Sequence, residues 1–154
     1  MVASQNLAGD VENIGPVLPA SRKLAAVVGV AIAKGANCNL NKTSDLYETC
    51  PTNGIEPFYV AAKAKEIGEL FVEVWEKPVF VYGYADEAID PQNYVKRGAV
   101  TAGRFGQWDD GTDALNQRAG EYVLKGNVVP LQGDGVTVPT AAANNDLILI
   151  VMRY

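Results

Sequence analysis

The chain is a succession of short apolar segments separated by turn-forming residues, and this spacing limits the folds open to it. Its 154 residues include 15 glycines and 8 prolines, and dipeptides such as Asn53-Gly54 are typical of tight turns between strands. Strands that are so short and so closely spaced favour antiparallel pairing over a parallel α/β sheet. The sequence therefore predicts a mainly β fold, either a small barrel or a sandwich of short antiparallel strands.

The clearest strand pattern occupies the middle of the chain. In residues 69–76 (ELFVEVWE), three aliphatic residues alternate with charged and aromatic ones, as the period of two in a strand requires. Lys77-Pro78 interrupts this pattern, and residues 79–84 (VFVYGY) resume it. If the two segments pair, we expect one aliphatic face toward the core and an opposite face that carries the aromatic side chains.

Other segments give less regular strand patterns. Residues 24–33 (LAAVVGVAIA) contain several β-branched side chains, which favour a buried strand, although periodicity alone also permits a helix. Residues 94–108 predict one bent strand, with glycines where bulges form. Residues 147–154 (LILIVMRY) predict a strand at the centre of a sheet. A turn is expected at residues 35–41, a short helix at 113–118, and short strands at 122–125, 127–131 and 136–138.

The first 20 residues differ in composition from the rest of the chain. Residues 1–20 hold few bulky apolar side chains and include two glycines and two prolines. This composition predicts an extended N-terminal arm that lies over a neighbouring molecule and is not needed for the fold. Residues 21–154 are then expected to form a single β-rich domain, since a chain of this length is most simply one domain.

Composition argues against several classes of function. The chain contains no histidine, which is the usual proton carrier at neutral pH and the commonest metal ligand. Its formal net charge of −5 argues against a nucleic-acid partner, because nucleic-acid-binding surfaces are normally basic. The apolar run at 24–33 is about half the length that crosses a bilayer, so no membrane partner is expected. Cys38 and Cys50 are expected to be buried, reduced thiols, with a disulfide bond as the alternative.

Acidic residues form clusters that could support chemistry. Residues 109–113 (DDGTD) resemble the start of a calcium loop, but the ligands farther along are not in place, so a turn is favoured and no metal or other cofactor is expected. A carboxylate-based hydrolase that uses Glu73 with Asp86 or Asp90 is an alternative function. Because neighbouring acids on a polar loop are usually just solvated, we expect no catalytic residue and no enzymatic activity.

Six aromatic residues are the candidate partner-binding residues, because aromatic side chains anchor many protein interfaces. They lie in the central strand segments and at the end of residues 94–108: Phe71, Trp75, Phe80, Tyr82, Tyr84 and Trp108. In an alternative function, a carbohydrate- or receptor-binding β module, four of them would be stacking platforms: Trp75, Tyr82, Tyr84 and Trp108.

Residues 95–108 (VKRGAVTAGRFGQW) and 120–135 (GEYVLKGNVVPLQGDG), with the N-terminal arm and the closing apolar strand, resemble the capsid decoration (cement) proteins of tailed bacteriophages. The resemblance implies a non-enzymatic virion structural protein that stabilises the lattice of the major capsid protein. It also implies a homo-oligomer, with a trimer favoured, on the capsid surface of the virion and in the host cytoplasm during assembly. No functional residue is carried over from that family.

Overall fold

The computed structural model describes residues 6–12, 18–90, 93–125 and 141–154. Within these ranges the regular structure is β-strand apart from one 3₁₀ turn at Leu115–Gln117, which confirms the predicted mainly β fold. None of these residues belongs to a helix with the length and apolar character to span a membrane. The strands are β1 (Val11–Glu12), β2 (Ser21–Ala25), β3 (Asn37–Asn41), β4 (Leu46–Thr49), β5 (Phe58–Val60), β6 (Phe71–Trp75), β7 (Val79–Tyr84), β8 (Tyr94–Arg97), β9 (Phe105–Gln107), β10 (Arg118–Lys125) and β11 (Leu147–Met152).

The strands form three antiparallel sheets. The largest has six strands in the order β1-β7-β11-β10-β8-β9, a second has three in the order β4-β3-β5, and β2 pairs with β6 in a third. No sheet closes on itself among the described residues, so the arrangement fits the sandwich alternative and not the barrel. The strands predicted at 127–131 and 136–138 lie outside the described residues.

The central strand of the six-stranded sheet is β11, as its sequence predicts, and all six of its residues are buried. Ile148, Ile150 and Met152 pack into the main core on one face. Leu147 and Leu149 point to the other face and pack against Tyr82. Because both faces of β11 are covered and both edges are paired, this strand contributes apolar side chains to two layers of packing.

The two central segments form strands where predicted, but they do not pair with each other. β6 pairs with β2, whereas β7 pairs with β1 and β11, so the chain passes from one sheet to another at Lys77-Pro78. Val72 and Val74 on β6 are buried as the alternation predicts, whereas Leu70, on the same predicted face, is 59% exposed. The face of a strand is a local property, but its hydrogen-bonding partner is chosen by the whole fold.

The predicted buried strand at residues 24–33 is wrong, because Leu24 and Ala25 belong to β2 without being buried and β2 does not continue past them. A turn follows at Val28-Gly29, and most of the run is exposed. Ala26 and Ile32 are the two fully buried residues of the run. Residues 26–33 turn back after β2 and are not covered by a strand on each side. Their apolar side chains therefore reach the surface.

Residues 94–108 form a hairpin instead of one bent strand. β8 and β9 pair antiparallel, with Val95 opposite Gln107, and residues 98–104 connect them. Gly98 permits a tight loop, because a Cβ there would lie 2.5 Å from the carbonyl oxygen of Thr101. The turn predicted at residues 35–41 is also mostly strand, since β3 occupies residues 37–41. The helix predicted at 113–118 is reduced to the 3₁₀ turn.

The described part of the predicted N-terminal arm contacts the chain's own sheet. Val11 pairs with Val81 at the edge of β7, and the amide N–H of Gly9 donates to the carbonyl of Tyr82 at 2.8 Å. Ala8 is buried against Tyr82. Residues 6–12 are therefore a strap on this molecule, and the division into an arm at 1–20 and a domain at 21–154 stays a prediction.

Candidate functional site

Two loops lie side by side at one end of the β2–β6 pair. Residues 26–33 follow β2 and residues 62–70 precede β6. The amide of Ala26 donates to the carbonyl of Leu70 at 2.9 Å, and the amide of Gly68 donates to the carbonyl of Val28 at 2.9 Å. Ile32 and Lys65 exchange two backbone hydrogen bonds of 3.0 and 2.8 Å. These bonds align the two loops along their whole length.

The paired loops expose a group of large apolar side chains, which we call the apolar tip. Its members and their exposed fractions are Val28 (43%), Val30 (50%), Ile67 (71%), Leu70 (59%) and Phe71 (52%). Single exposed apolar residues are ordinary, whereas several of them on two hydrogen-bonded loops are a candidate interaction site. The apolar tip is therefore the candidate functional site of the described residues.

A buried lysine ties the two loops together beneath this surface. Lys65 is only 2% exposed, and its ammonium group donates to the carbonyl oxygen of Val30 at 2.8 Å and of Glu66 at 3.3 Å. A buried ammonium group without hydrogen bonds is very unfavourable, so these carbonyls are held close to it. The tip is thus a fixed shape and not a pair of independent loops.

The rim of the apolar tip is acidic. Glu66 and Glu69 are exposed beside Ile67, and a carboxylate oxygen of Glu69 accepts the amide N–H of Glu66 at 2.8 Å. The nearest exposed cation in this loop, Lys63, forms an ion pair of 3.1 Å with Glu73 on β6. Residues 26–33 carry no charged side chain.

The six predicted partner-binding aromatics do not form one surface. Phe71 belongs to the apolar tip. Tyr84 is also exposed, and its ring lies 5.6 Å from the guanidinium carbon of Arg104. Trp75 and Phe80 are half-buried, whereas Tyr82 and Trp108 are buried.

Three of these aromatics donate their side-chain hydrogen bonds to groups of the chain itself. The indole N–H of Trp75 donates to the carbonyl of Gly9 at 2.8 Å, and that of Trp108 donates to the carbonyl of Ala114 at 3.0 Å. The hydroxyl of Tyr82 donates to Glu12 at 2.6 Å. Burial, with this bond to Glu12, raises the pKa of Tyr82. Of the four rings suggested as stacking platforms, Tyr84 is the one that is exposed, at 42%.

Two neighbouring acidic residues, Asp86 and Glu87, hold the hairpin of β8 and β9 in place. Asp86 accepts the amide N–H groups of Val100 and Thr101 at 2.7 and 2.8 Å, and Glu87 accepts that of Gln107 at 2.8 Å. Burial alone would raise the pKa of Asp86, but the hydrogen bonds from Thr101 and Val100 lower it overall. These carboxylates act as acceptors for loop amides.

Residues 109–113 form the turn that their sequence favours. The amide of Gly111 donates to the Asp109 carboxylate at 2.9 Å, and the Asp113 carboxylate pairs with Lys96 at 2.8 Å. Within the described ranges, no three acidic or cysteine side chains are grouped in a way that could hold a metal ion.

Three groups that could carry acid–base or nucleophilic chemistry, Glu73, Cys38 and Cys50, have pKa values that do not suit it. A hydrogen bond from Ser21, followed by one from Lys63, lowers the pKa of Glu73, whereas the general acid of a glycosidase needs a raised pKa. Cys38 and Cys50 are free and buried, and burial raises the pKa of each thiol to about 12. Both thiols therefore stay protonated and unreactive.

Comparison with known proteins bears on the fold. No protein-family model matches the chain, and no curated protein matches it. Among solved structures, the chain is similar to the crystal structure of the head fiber gp8.5 N base in bacteriophage phi29. The TM-score is 0.50 at 16% sequence identity, and the match covers 88% of this chain and 94% of that one. The two chains share a fold over almost their full lengths.

Sequence reasoning missed the apolar tip because it assigned residues 24–33 to the core. The available signal was the composition of the run, in which alanine and glycine make up five of the ten positions. Small residues fill little core volume, and a glycine in the middle of a strand weakens it. Residues 66–70 gave no apolar periodicity that would have linked them to this run.

Proposed function

We propose that this chain is a non-enzymatic structural protein of a bacteriophage virion and that it is attached to the phage head. The observation that carries this proposal is the fold shared with the head fiber base of phage phi29 across 88% of the chain. The sequence resemblance to capsid decoration proteins, based on residues 95–108 and 120–135, supports the same class. The acidic clusters also fit, because their described side chains serve loop amides and ion pairs.

In the finer form of the proposal, the protein decorates the outer capsid surface and contacts the major capsid protein as a homo-oligomer, with a trimer favoured. It is present in the host cytoplasm during assembly and in the virion afterwards. An antiparallel sheet with a fully buried central strand provides a rigid body for this role, and the apolar tip provides a surface for a protein contact. The net charge of −5 suits an outward position away from packaged DNA.

Binding to phage heads tests the proposal. The purified chain is mixed with purified heads of the phage that encodes it and, as a control surface, with isolated tails of that phage. We expect co-sedimentation with heads that saturates at a fixed number of copies per capsid, and none with tails. Absence of binding to heads would contradict the proposal.

Two further measurements test its finer parts. Heads that carry the protein should release their DNA at a higher temperature than bare heads, because a decoration protein braces neighbouring capsid subunits. Light scattering of the free chain should give the mass of three copies. Binding without a change in head stability, or a monomeric mass, would overturn the corresponding finer claim and leave the attachment to the head in place.

A further inference from the structure

Gly29 lies between Val28 and Val30 of the apolar tip, at a position where the chain itself does not require a glycine. Gly29 has a φ angle outside the left-handed region that favours glycine, in contrast to Gly68 with φ +96°. No heavy atom lies within 4 Å of the place that a Cβ at residue 29 would occupy. The chain itself would therefore accommodate a side chain at residue 29, and the glycine leaves room there for close approach of another molecule.

The tip is also preorganised for contact. The buried ammonium of Lys65 holds the carbonyl of Val30, and three sets of backbone hydrogen bonds align the two loops. A surface that is already ordered loses little conformational entropy when it binds. The exposed apolar side chains of these two loops are thus presented in one fixed geometry.

Charge selects among the possible occupants of this surface. If two copies met tip to tip about a two-fold axis, the two acidic rims, each with Glu66 and Glu69, would be brought into one interface. Like charges brought together across an interface oppose association. An anionic membrane surface is disfavoured for the same reason. A different protein with an apolar recess bordered by lysine or arginine would match this surface. Its recess would take the apolar side chains, and its cations would pair with Glu66 and Glu69.

From these observations we infer that the apolar tip is the surface by which this chain docks on the phage head, onto an apolar recess of a shell protein with a cationic rim. This inference rests on the proposed function and names the partner surface within it. The tip supplies the apolar contact, Gly29 permits close approach, and Glu66 and Glu69 supply the charge that is complementary to the rim.

The first test removes apolar contact at the tip. Phe71→Ser is compared with Val100→Ser, because Val100 is an exposed apolar residue (81%) in the β8–β9 loop outside the tip. Affinity for purified heads is measured by quantitative co-sedimentation. We expect Phe71→Ser to weaken binding about tenfold or more, as for a buried aromatic anchor, and Val100→Ser to bind as the unaltered chain does.

The second test changes shape and charge without removing any contact inside the chain. Gly29→Gln places a side chain in open space, and we expect it to weaken head binding while the unfolding midpoint stays unchanged. Glu66→Lys should weaken binding more at low salt than at high salt, because a cationic rim would repel it. Its matched control is Asp110→Lys, an equal charge change at an exposed residue of the 109–113 turn.

The outcomes separate this inference from the proposed function. If the unaltered chain does not bind heads, the proposed function fails and the inference fails with it. If the unaltered chain binds and the tip variants bind equally well, the inference alone is wrong. A loss of oligomeric mass in Phe71→Ser would assign the tip to a second copy. Binding of the unaltered chain to phosphatidylcholine vesicles, lost in Phe71→Ser, would assign it to a membrane. Either result would overturn the inference.

Discussion

Two continuous apolar runs of this chain occupy opposite environments. β11, near the C-terminus, is buried at every residue and lies between β7 and β10. Residues 24–33 also form a run without a polar side chain, yet most of them are exposed, and Val28 and Val30 belong to the apolar tip. The difference lies in their neighbours, because β11 has a hydrogen-bonded strand on each edge and packed side chains on each face, whereas the tip has one loop beside it.

This comparison shows that an apolar sequence predicts burial only where the fold supplies cover on all sides. A run that the chain leaves uncovered is available to another molecule, which is why the tip is the candidate docking surface. If the two regions differ in this way, substitutions in β11 and in the apolar tip should have very different effects on stability.

The largest effect is expected in the core region. Ile150 is fully buried, and it lies opposite Val81 on one side and Tyr122 on the other. Ile150→Ala leaves a cavity and should lower the free energy of unfolding by about 2–5 kcal/mol. Urea unfolding measures this loss. A loss under about 1 kcal/mol would mean that β11 is not the tightly packed centre of the sheet.

The next largest effect is expected at Lys65, which ties the two loops together beneath the apolar tip. Lys65→Met keeps much of the apolar stem but leaves the carbonyls of Val30 and Glu66 without their donor, which should cost about 2 kcal/mol. Hydrogen exchange should accelerate at the amides of Ile32 and Gly68, with little change in β11. The control is Lys63→Met, which removes an exposed ion pair of small energetic value. Equal exchange in both variants would show that Lys65 does not hold the tip.

A smaller, pH-dependent effect on stability is expected in the β8–β9 loop. Unlike the tip, this loop is held by a buried carboxylate, that of Asp86. The folded state lowers the pKa of Asp86, so it binds a proton less readily than the unfolded state. The stabilisation is present above the unfolded pKa and is lost as the pH falls below about 4. Asp86→Asn converts charge-assisted hydrogen bonds into neutral ones and should cost about 1 kcal/mol at neutral pH.

Urea unfolding at several pH values checks this third prediction. The difference in stability between Asp86→Asn and the unaltered chain should shrink as the pH falls below about 4. Asp110→Asn, at an exposed position, is the control and should show no such convergence. A constant difference at all pH values would show that the Asp86 carboxylate does not carry the effect.

The smallest effect is expected at the tip surface. Val30→Ser replaces a half-exposed side chain and should change the free energy of unfolding by no more than about 0.5 kcal/mol. Urea unfolding beside Ile150→Ala gives the contrast directly. A loss above about 1 kcal/mol would place Val30 in the core, and the two apolar runs would no longer differ.

Local features of the fold could be predicted from the sequence because they depend on neighbouring residues. Alternation in residues 69–76 predicted the buried positions of Val72 and Val74, and the turn at residues 52–53 follows from the Asn-Gly dipeptide. The candidate site could be predicted only in part. Of the aromatics selected as partner-binding residues, Phe71 and Tyr84 are exposed, but Tyr82 and Trp108 were selected by the same pattern and are buried. Partner binding by these residues stays a prediction.

The sequence by itself determined that this protein is built of short antiparallel strands with β11 at a centre, since strand period and turn chemistry are local properties. Only the tertiary structure decided that β6 pairs with β2 and not with β7, that the β11 run is covered, and that residues 26–33 form a surface. The physical reason is that strand pairing and burial depend on neighbours from distant parts of the chain. Val81, Tyr122 and Ile150, which lie side by side in the sheet, are far apart in sequence.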